Sequence, residues 1–240
     1  MEERIGQALR EARKAQGISL RSLAADTGIS ASLLSQVENG KSYPSVETLY
    51  TLVSRLEVSL DDLFGLKVQA PPAGEEPGGE QRVPASVGGA GRSGLLIQRA
   101  ADTPALTMDS GVRWERLASF DDGLVEALLV TYPSGASGSA ENALMRHSGI
   151  EFAYLLEGSL TLILEFDRYE IAAGDSFCFD STRPHLYVNH GPKTARGLWY
   201  VVGRNAPEHA RDRLAELVAQ MGVGAEAADG VRSLGGRGVE

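Results

Sequence analysis

Two histidines and a glutamate carry the most specific chemistry in this 240-residue chain. His147 and Glu151 stand four residues apart, and His185 follows on a separate segment. Imidazole nitrogens and a carboxylate are the donors of a 2-His-1-carboxylate site for one divalent ion such as iron, zinc, manganese or nickel, provided that the fold brings them together. The same groups also suit a hydrogen-bonded polar cluster, or direct capture of an organic ligand. Arg146, Tyr154, Arg183, Tyr187 and Tyr200, with Trp199, are available to line an effector pocket beside them. Strand alternation allows only some of these to face inward. Beyond the trio no catalytic base or substrate-binding constellation stands out, and no catalytic residue is assigned.

A second group of residues has the chemistry of nucleic-acid contact. The Gln36 amide can pair bidentately with adenine, while Ser32 and Ser35 are short enough to reach bases or phosphates. With Ala31 they share the outward face of a helix if Leu34 and Val37 are its buried side. Arg21 falls in the first turn of the preceding helix, where a guanidinium and helix N–H groups can share a phosphate. Lys41 and Tyr43, beside Ser42, follow the reading helix as further backbone contacts.

The elements that must hold these residues are legible in the periodicity. Ile5, Leu9 and Ala12 recur at helical spacing up to Gly17. Ser19 then caps a helix carrying Leu20, Leu23 and Ala24, and Ser30 caps another after the tight Thr27-Gly28-Ile29 connection. A fourth helix starts near Pro44-Ser45 with Val46, Leu49, Leu52, Val53 and Leu56 on one side, and a short fifth covers Leu60 to Phe64. The segment Arg4 to Tyr43 holds six basic and three acidic residues, a usable phosphate-facing balance in a chain whose net charge is −9.

Residues 67–94 hold seven Gly and four Pro in 28 positions, the composition of a linker. A flexible coil of that length spans about 30 Å, enough for the flanking domains to orient independently. After it come short apolar runs: Leu124 to Tyr132, Phe152 to Leu156, Leu160 to Phe166, Ser176 to Phe179 and Leu198 to Val202. Bounded by Gly, Asp and Pro, they predict an antiparallel barrel or sandwich. A helix is expected over Pro207 to Met221, then a frayed tail over 222–240. No apolar run is long enough for a membrane helix, and the acidic Met1-Glu2-Glu3-Arg4 start is not a secretory signal. One cysteine, Cys178, read as a small buried hydrophobe, fits a reducing, cytoplasmic setting.

Leu20-Arg21-Ser22-Leu23-Ala24, Gly28-Ile29-Ser30, Leu34-Ser35-Gln36-Val37-Glu38-Asn39-Gly40 and Pro44-Ser45 closely resemble the Cro/lambda-repressor type helix-turn-helix over about 60 residues. His147, Glu151, Gly158, Gly174, His185 and Asn189 resemble the cupin pattern, from roughly Arg99 to Gly203. In that pattern the first of three histidines falls on Met145, a soft thioether that a hard or borderline ion would not choose. Asp180 and Thr182 stand where the pattern has Pro and Gly.

The combined resemblance implies a five-helix helix-turn-helix domain (1–66), the linker (67–94), an all-β cupin (double-stranded β-helix) domain with a C-terminal helix (95–221) and a tail (222–240). It also implies a dimeric, effector-responsive transcription regulator that binds an operator in double-stranded DNA. A phosphonate-epoxidising oxygenase of the same two-domain build, whose iron ligands match His147, Glu151 and His185, is the enzymatic alternative.

Overall fold

The computed structural model describes residues 2–64, 97–118, 125–139 and 141–204. The expected linker, the helix over Pro207 to Met221 and the tail lie outside the described residues.

Helices α1 (Glu2–Ala15), α2 (Leu20–Thr27), α3 (Ala31–Glu38), α4 (Val46–Leu56) and α5 (Leu60–Phe64) form the N-terminal domain. Serine side chains start four of them: the Oγ atoms of Ser19, Ser30, Ser45 and Ser59 accept from the backbone N–H groups of Ser22, Leu33, Thr48 and Asp62 at 3.0, 3.1, 3.0 and 3.1 Å. Each cap satisfies a donor that the first helical turn leaves unpaired. Leu9, Leu23, Leu34, Leu49 and Leu52 are fully buried at the centre. Among them runs a buried ion pair, Arg13 Nε and Nη2 to the two Glu38 oxygens at 2.6 and 2.7 Å. This pair removes one base and one acid from the surface balance read in the sequence, leaving the excess of positive charge unchanged.

The second domain consists of antiparallel sheet. Strands β1 (Ala105–Thr107), β2 (Arg113–Arg116), β3 (Val125–Tyr132), β4 (Ile150–Glu157), β5 (Ser159–Leu164), β6 (Asp167–Ala172), β7 (Ser176–Asp180), β8 (His185–Val188) and β9 (Ala195–Val202) make two sheets. One has the order β1-β2-β3-β9-β4-β7 and the other β6-β5-β8. Their inner faces meet through aromatic side chains, with Tyr187 edge-on to Trp199 at 5.5 Å. Four strands escape the sequence reading for a common reason, the lack of alternation. β8 is buried at every position, β6 is almost entirely exposed, and β1 and β2 are too short for a period to register.

The two domains touch. The Glu47 backbone N–H donates to the Gly138 carbonyl at 3.1 Å, the Asp109 N–H donates to the Pro44 carbonyl at 3.2 Å, and the Ser139 hydroxyl donates to Glu47 Oε2 at 2.8 Å. The independent orientation expected from linker composition is therefore not what the structure holds, because the first turn of α4 is bonded directly to the barrel.

Candidate functional site

Three different segments carry the trio. Glu151 points inward from the second position of β4, and His185 opens β8. His147 precedes β4, its backbone N–H donating to the Ser181 carbonyl at 3.0 Å. Met145 and His185 exchange backbone hydrogen bonds of 2.9 Å in both directions, clamping the approach to β4 against β8. Gly149 makes the tight step from His147 to Glu151 possible: its φ is +107°, and a Cβ there would lie 2.8 Å from the Val202 carbonyl.

The three donor atoms lie within 4.8 Å of one another, and all three residues are buried. His147 Nε2 lies 2.7 Å from Glu151 Oε1, and His185 Nε2 lies 3.3 Å from the same oxygen without hydrogen-bond geometry. Each imidazole turns its Nδ1 to a backbone carbonyl, that of Ser148 at 3.1 Å for His147 and that of Arg183 at 2.8 Å for His185. A carbonyl can only accept, so Nδ1 carries the proton in both rings and a neutral ring has its lone pair on Nε2. Two lone pairs and a carboxylate oxygen converging in a buried space repel unless a cation joins them. A proton on an imidazole or a divalent ion meets that need, and metal-ligating histidines characteristically donate their other ring N–H to a backbone carbonyl, which fixes the ring orientation. The donor set fits such an ion, and Glu151 Oε2 is already occupied by the Tyr187 hydroxyl, which donates to it at 2.6 Å.

Charge at this cluster follows from the same contacts. Burial alone would raise the Glu151 pKa, but the neighbouring His185 charge and the hydrogen bond with His147 outweigh it and hold the carboxyl well below the usual range. Burial would lower His185, but the Glu151 carboxylate outweighs that and raises it above 6.5. A raised histidine stabilises fully below its unfolded value and loses that contribution as pH rises through its folded value; a lowered carboxylate stabilises above its own unfolded value of 4.5. The contribution of this cluster to metal-free stability is therefore expected to be greatest between about pH 4.5 and 6.5 and to fall as pH rises beyond that. Metal-loaded protein should gain over that same rise, because binding displaces protons. Denaturant unfolding across this range, with and without Zn2+, checks both slopes.

Of the side chains proposed for the effector pocket, Tyr187 and Trp199 line the space beside Glu151. Tyr154 is 45% and Tyr200 39% exposed on the outer face of the large sheet, because each sits one position away from an inward residue, Ala153 and Trp199. Arg146 is exposed, and half-buried Arg183 pairs with Glu165 at 3.0 Å. Cys178 is half-buried opposite Phe152 on β4, not a core residue. Met145 is buried and borders the space beside Glu151.

Sequence reasoning missed the residues that close that space. Tyr50 of α4 stacks on His147, ring centroids 4.3 Å apart and planes 12° apart, and meets Trp114 at 5.2 Å. The Arg204 guanidinium lies 4.5 Å from the centroid of the Tyr50 ring. No local signal set Tyr50 apart, because one turn after Val46 and one before Val53 it is buried with the rest of the apolar side of α4.

On the helical domain, Arg21, Ala31, Ser32, Gln36 and Lys41 are exposed, Ser35 is half-buried, and Leu34 and Val37 are buried beneath them. Tyr43 is half-buried at the edge of a hollow that Ile5 and Val37 also line. None of the described helices is long and apolar enough to cross a membrane.

A helix-turn-helix family model matches residues 9–63, and a cupin domain model matches residues 128–201. The HTH-type transcriptional regulator PuuR of Escherichia coli (strain K12) is 25% identical over 204 residues, 84% of this chain and 94% of that protein. The HTH-type transcriptional regulator SutR of the same organism is 22% identical over 187 residues, 78% of this chain and 87% of that protein. A crystal structure of an HTH_3 family transcriptional regulator from Vibrio cholerae shares the fold at a TM-score of 0.57 and 21% identity, covering 84% of this chain and 96% of that one.

Proposed function

The chain belongs to the proteins that join a helix-turn-helix domain to a cupin domain, and from that premise we propose that it is a cytoplasmic, sequence-specific DNA-binding transcription regulator. Its α3 reads the operator in the major groove through Ala31, Ser32, Ser35 and Gln36, while Arg21, Lys41 and Tyr43 meet the phosphate backbone. The observation that carries this reading is the division of α3 into two faces. Leu34 and Val37 hold it on the domain, and the exposed side chains of Ser32 and Gln36 form no hydrogen bond with other described residues. Short polar groups left unpaired on the outer face of a capped helix suit base edges better than they suit packing.

Replacing Gln36 by alanine is expected to weaken operator binding by about 1–3 kcal/mol and to relax selectivity at one base position. Selection of binding sites from random duplexes, run with both proteins, measures this. An unchanged site preference would remove Gln36 from the reading set.

The cupin domain is the sensor and the dimerisation domain. One divalent ion, iron, zinc, manganese or nickel, is held by His147, Glu151 and His185, and a small-molecule effector enters beside Tyr187. A second copy covers the outer face of the large sheet, where Phe152, Tyr154, Leu156 and Tyr200 are exposed together on β4 and β9. Two-fold pairing would present two α3 helices to half-sites about 34 Å apart or a multiple of that. Effector binding then changes operator affinity by a coupling energy of about 1–3 kcal/mol. Under this reading the trio senses and does not catalyse. Oxygen-dependent turnover of a phosphonate by iron-loaded protein would favour the epoxidase alternative instead.

A further inference from the structure

The barrel site is closed by the DNA-binding domain itself. Val46 and Tyr50, one turn apart on α4, reach over the barrel opening beside Trp114, and both are buried there. Tyr50 is held as a bound aromatic ring would be, flat on His147 on one contact, under the Arg204 guanidinium on another, and tilted against Trp114. With α4 in place the space left beside Glu151 is about 20 Å³, which holds about one water or a bare ion and no organic molecule. His147, Glu151 and His185 are at most 5% exposed in this arrangement.

We propose that α4 is the lid of the barrel: a bare ion fits beneath it, but any organic ligand of the site must displace Val46 and Tyr50, so that ligand binding and docking of the DNA-binding domain exclude one another. The regulatory meaning of this lid rests on the regulator reading above. Docking leaves Ser32 and Gln36 exposed. The lid therefore does not hide the base-reading face; it fixes the direction in which that face points. Release of the lid leaves the domain held by the chain alone, and the coupling needs no signal carried through the linker. The polar contacts at the edge of the lid, Glu47 with Ser139 and with the Gly138 carbonyl and the Pro44 carbonyl with Asp109, lie at or just before the first turn of α4, which suits a contact that opens as a unit.

The test uses diethyl pyrocarbonate, an organic electrophile larger than an ion that acylates accessible imidazoles, on the full-length, chelator-treated protein, with each histidine followed by peptide mass spectrometry. Exposed His190 serves as the internal reference. In a Cys178→Ser background, Glu47→Cys and Ser139→Cys are introduced to staple the lid, since those two side chains touch. Oxidation is expected to slow acylation of His147 and His185 at least tenfold relative to the reduced form, with His190 unchanged. Tyr50→Ala, which needs no staple, is expected to speed acylation of both by a similar factor. Equal rates in the oxidised and reduced staple, or an unchanged rate in Tyr50→Ala, would overturn the lid. Neither measurement involves DNA or metal, so its failure would leave the regulator reading intact, and a protein that bound no operator could still show the lid.

Discussion

Glu151→Ala is expected to abolish stoichiometric metal retention. Both imidazoles turn their Nδ1 protons to backbone carbonyls, so Glu151 Oε1 is the one anionic oxygen that the two Nε2 atoms share. Without it the ion would be left with two neutral donors in a buried space, which offsets none of its charge. Changes to partners of ligands cost metal sites about 10–100-fold in affinity, and the loss of a ligand should exceed that. Tyr187→Phe supplies the comparison, since it removes the hydroxyl that holds Glu151 Oε2 at 2.6 Å and keeps all three donors. It should weaken binding within that 10–100-fold range. Elemental analysis of untagged protein and calorimetric titration of the chelator-stripped variants with Zn2+ measure both. Full metal content in Glu151→Ala would refute the ligand set.

A second large effect is expected far from the barrel, at Gly6→Val. In α1 a Cβ on Gly6 would stand 2.3 Å from the Val37 carbonyl oxygen and 2.9 Å from Glu38 backbone atoms. The obstacle is the backbone of α3, which cannot swing aside as a side chain would, so α1 must lift from its neighbour. The expected cost is about 3 kcal/mol or more. A helical domain of this size has roughly 3–9 kcal/mol in all. DNA binding should fail while the barrel keeps its fold, and the chain's two tryptophans, Trp114 and Trp199, both report on the barrel. Fluorescence-monitored unfolding beside DNA-binding titrations separates the domains. Unchanged operator affinity in Gly6→Val would mean that α1 does not depend on this close crossing.

The helical domain was readable from residues because each helix announces itself locally. Ser19, Ser30 and Ser45 cap where they were expected to or nearly so, and the apolar spacing of α4 identifies its buried side with no knowledge of any partner. The trio was readable as donor types, yet convergence of His147 with His185 depends on β4 and β8 lying in different sheets, which no local pattern encodes. The pocket lining failed for a related reason. A strand turns alternate side chains to opposite faces, so a one-residue uncertainty in register exchanges Tyr154 for Ala153 and Tyr200 for Trp199. Tyr50 was invisible as a barrel residue because burial of a helix side chain looks the same in a sequence whether the neighbour is its own domain or another.

The exposed outer face of α3 and the docked α4 also differ in how freely they can drift. The side chains of Ser32 and Gln36 are exposed and form no hydrogen bond with other described residues, so if they read DNA as proposed, substitutions there would retarget the protein at almost no cost in stability. Tyr50 answers to α4, to His147 and to Arg204 at once. Over evolutionary time such a chain would change the genes it addresses more readily than the way it answers, and a new ligand specificity in the barrel would require matched changes in the helix that covers it.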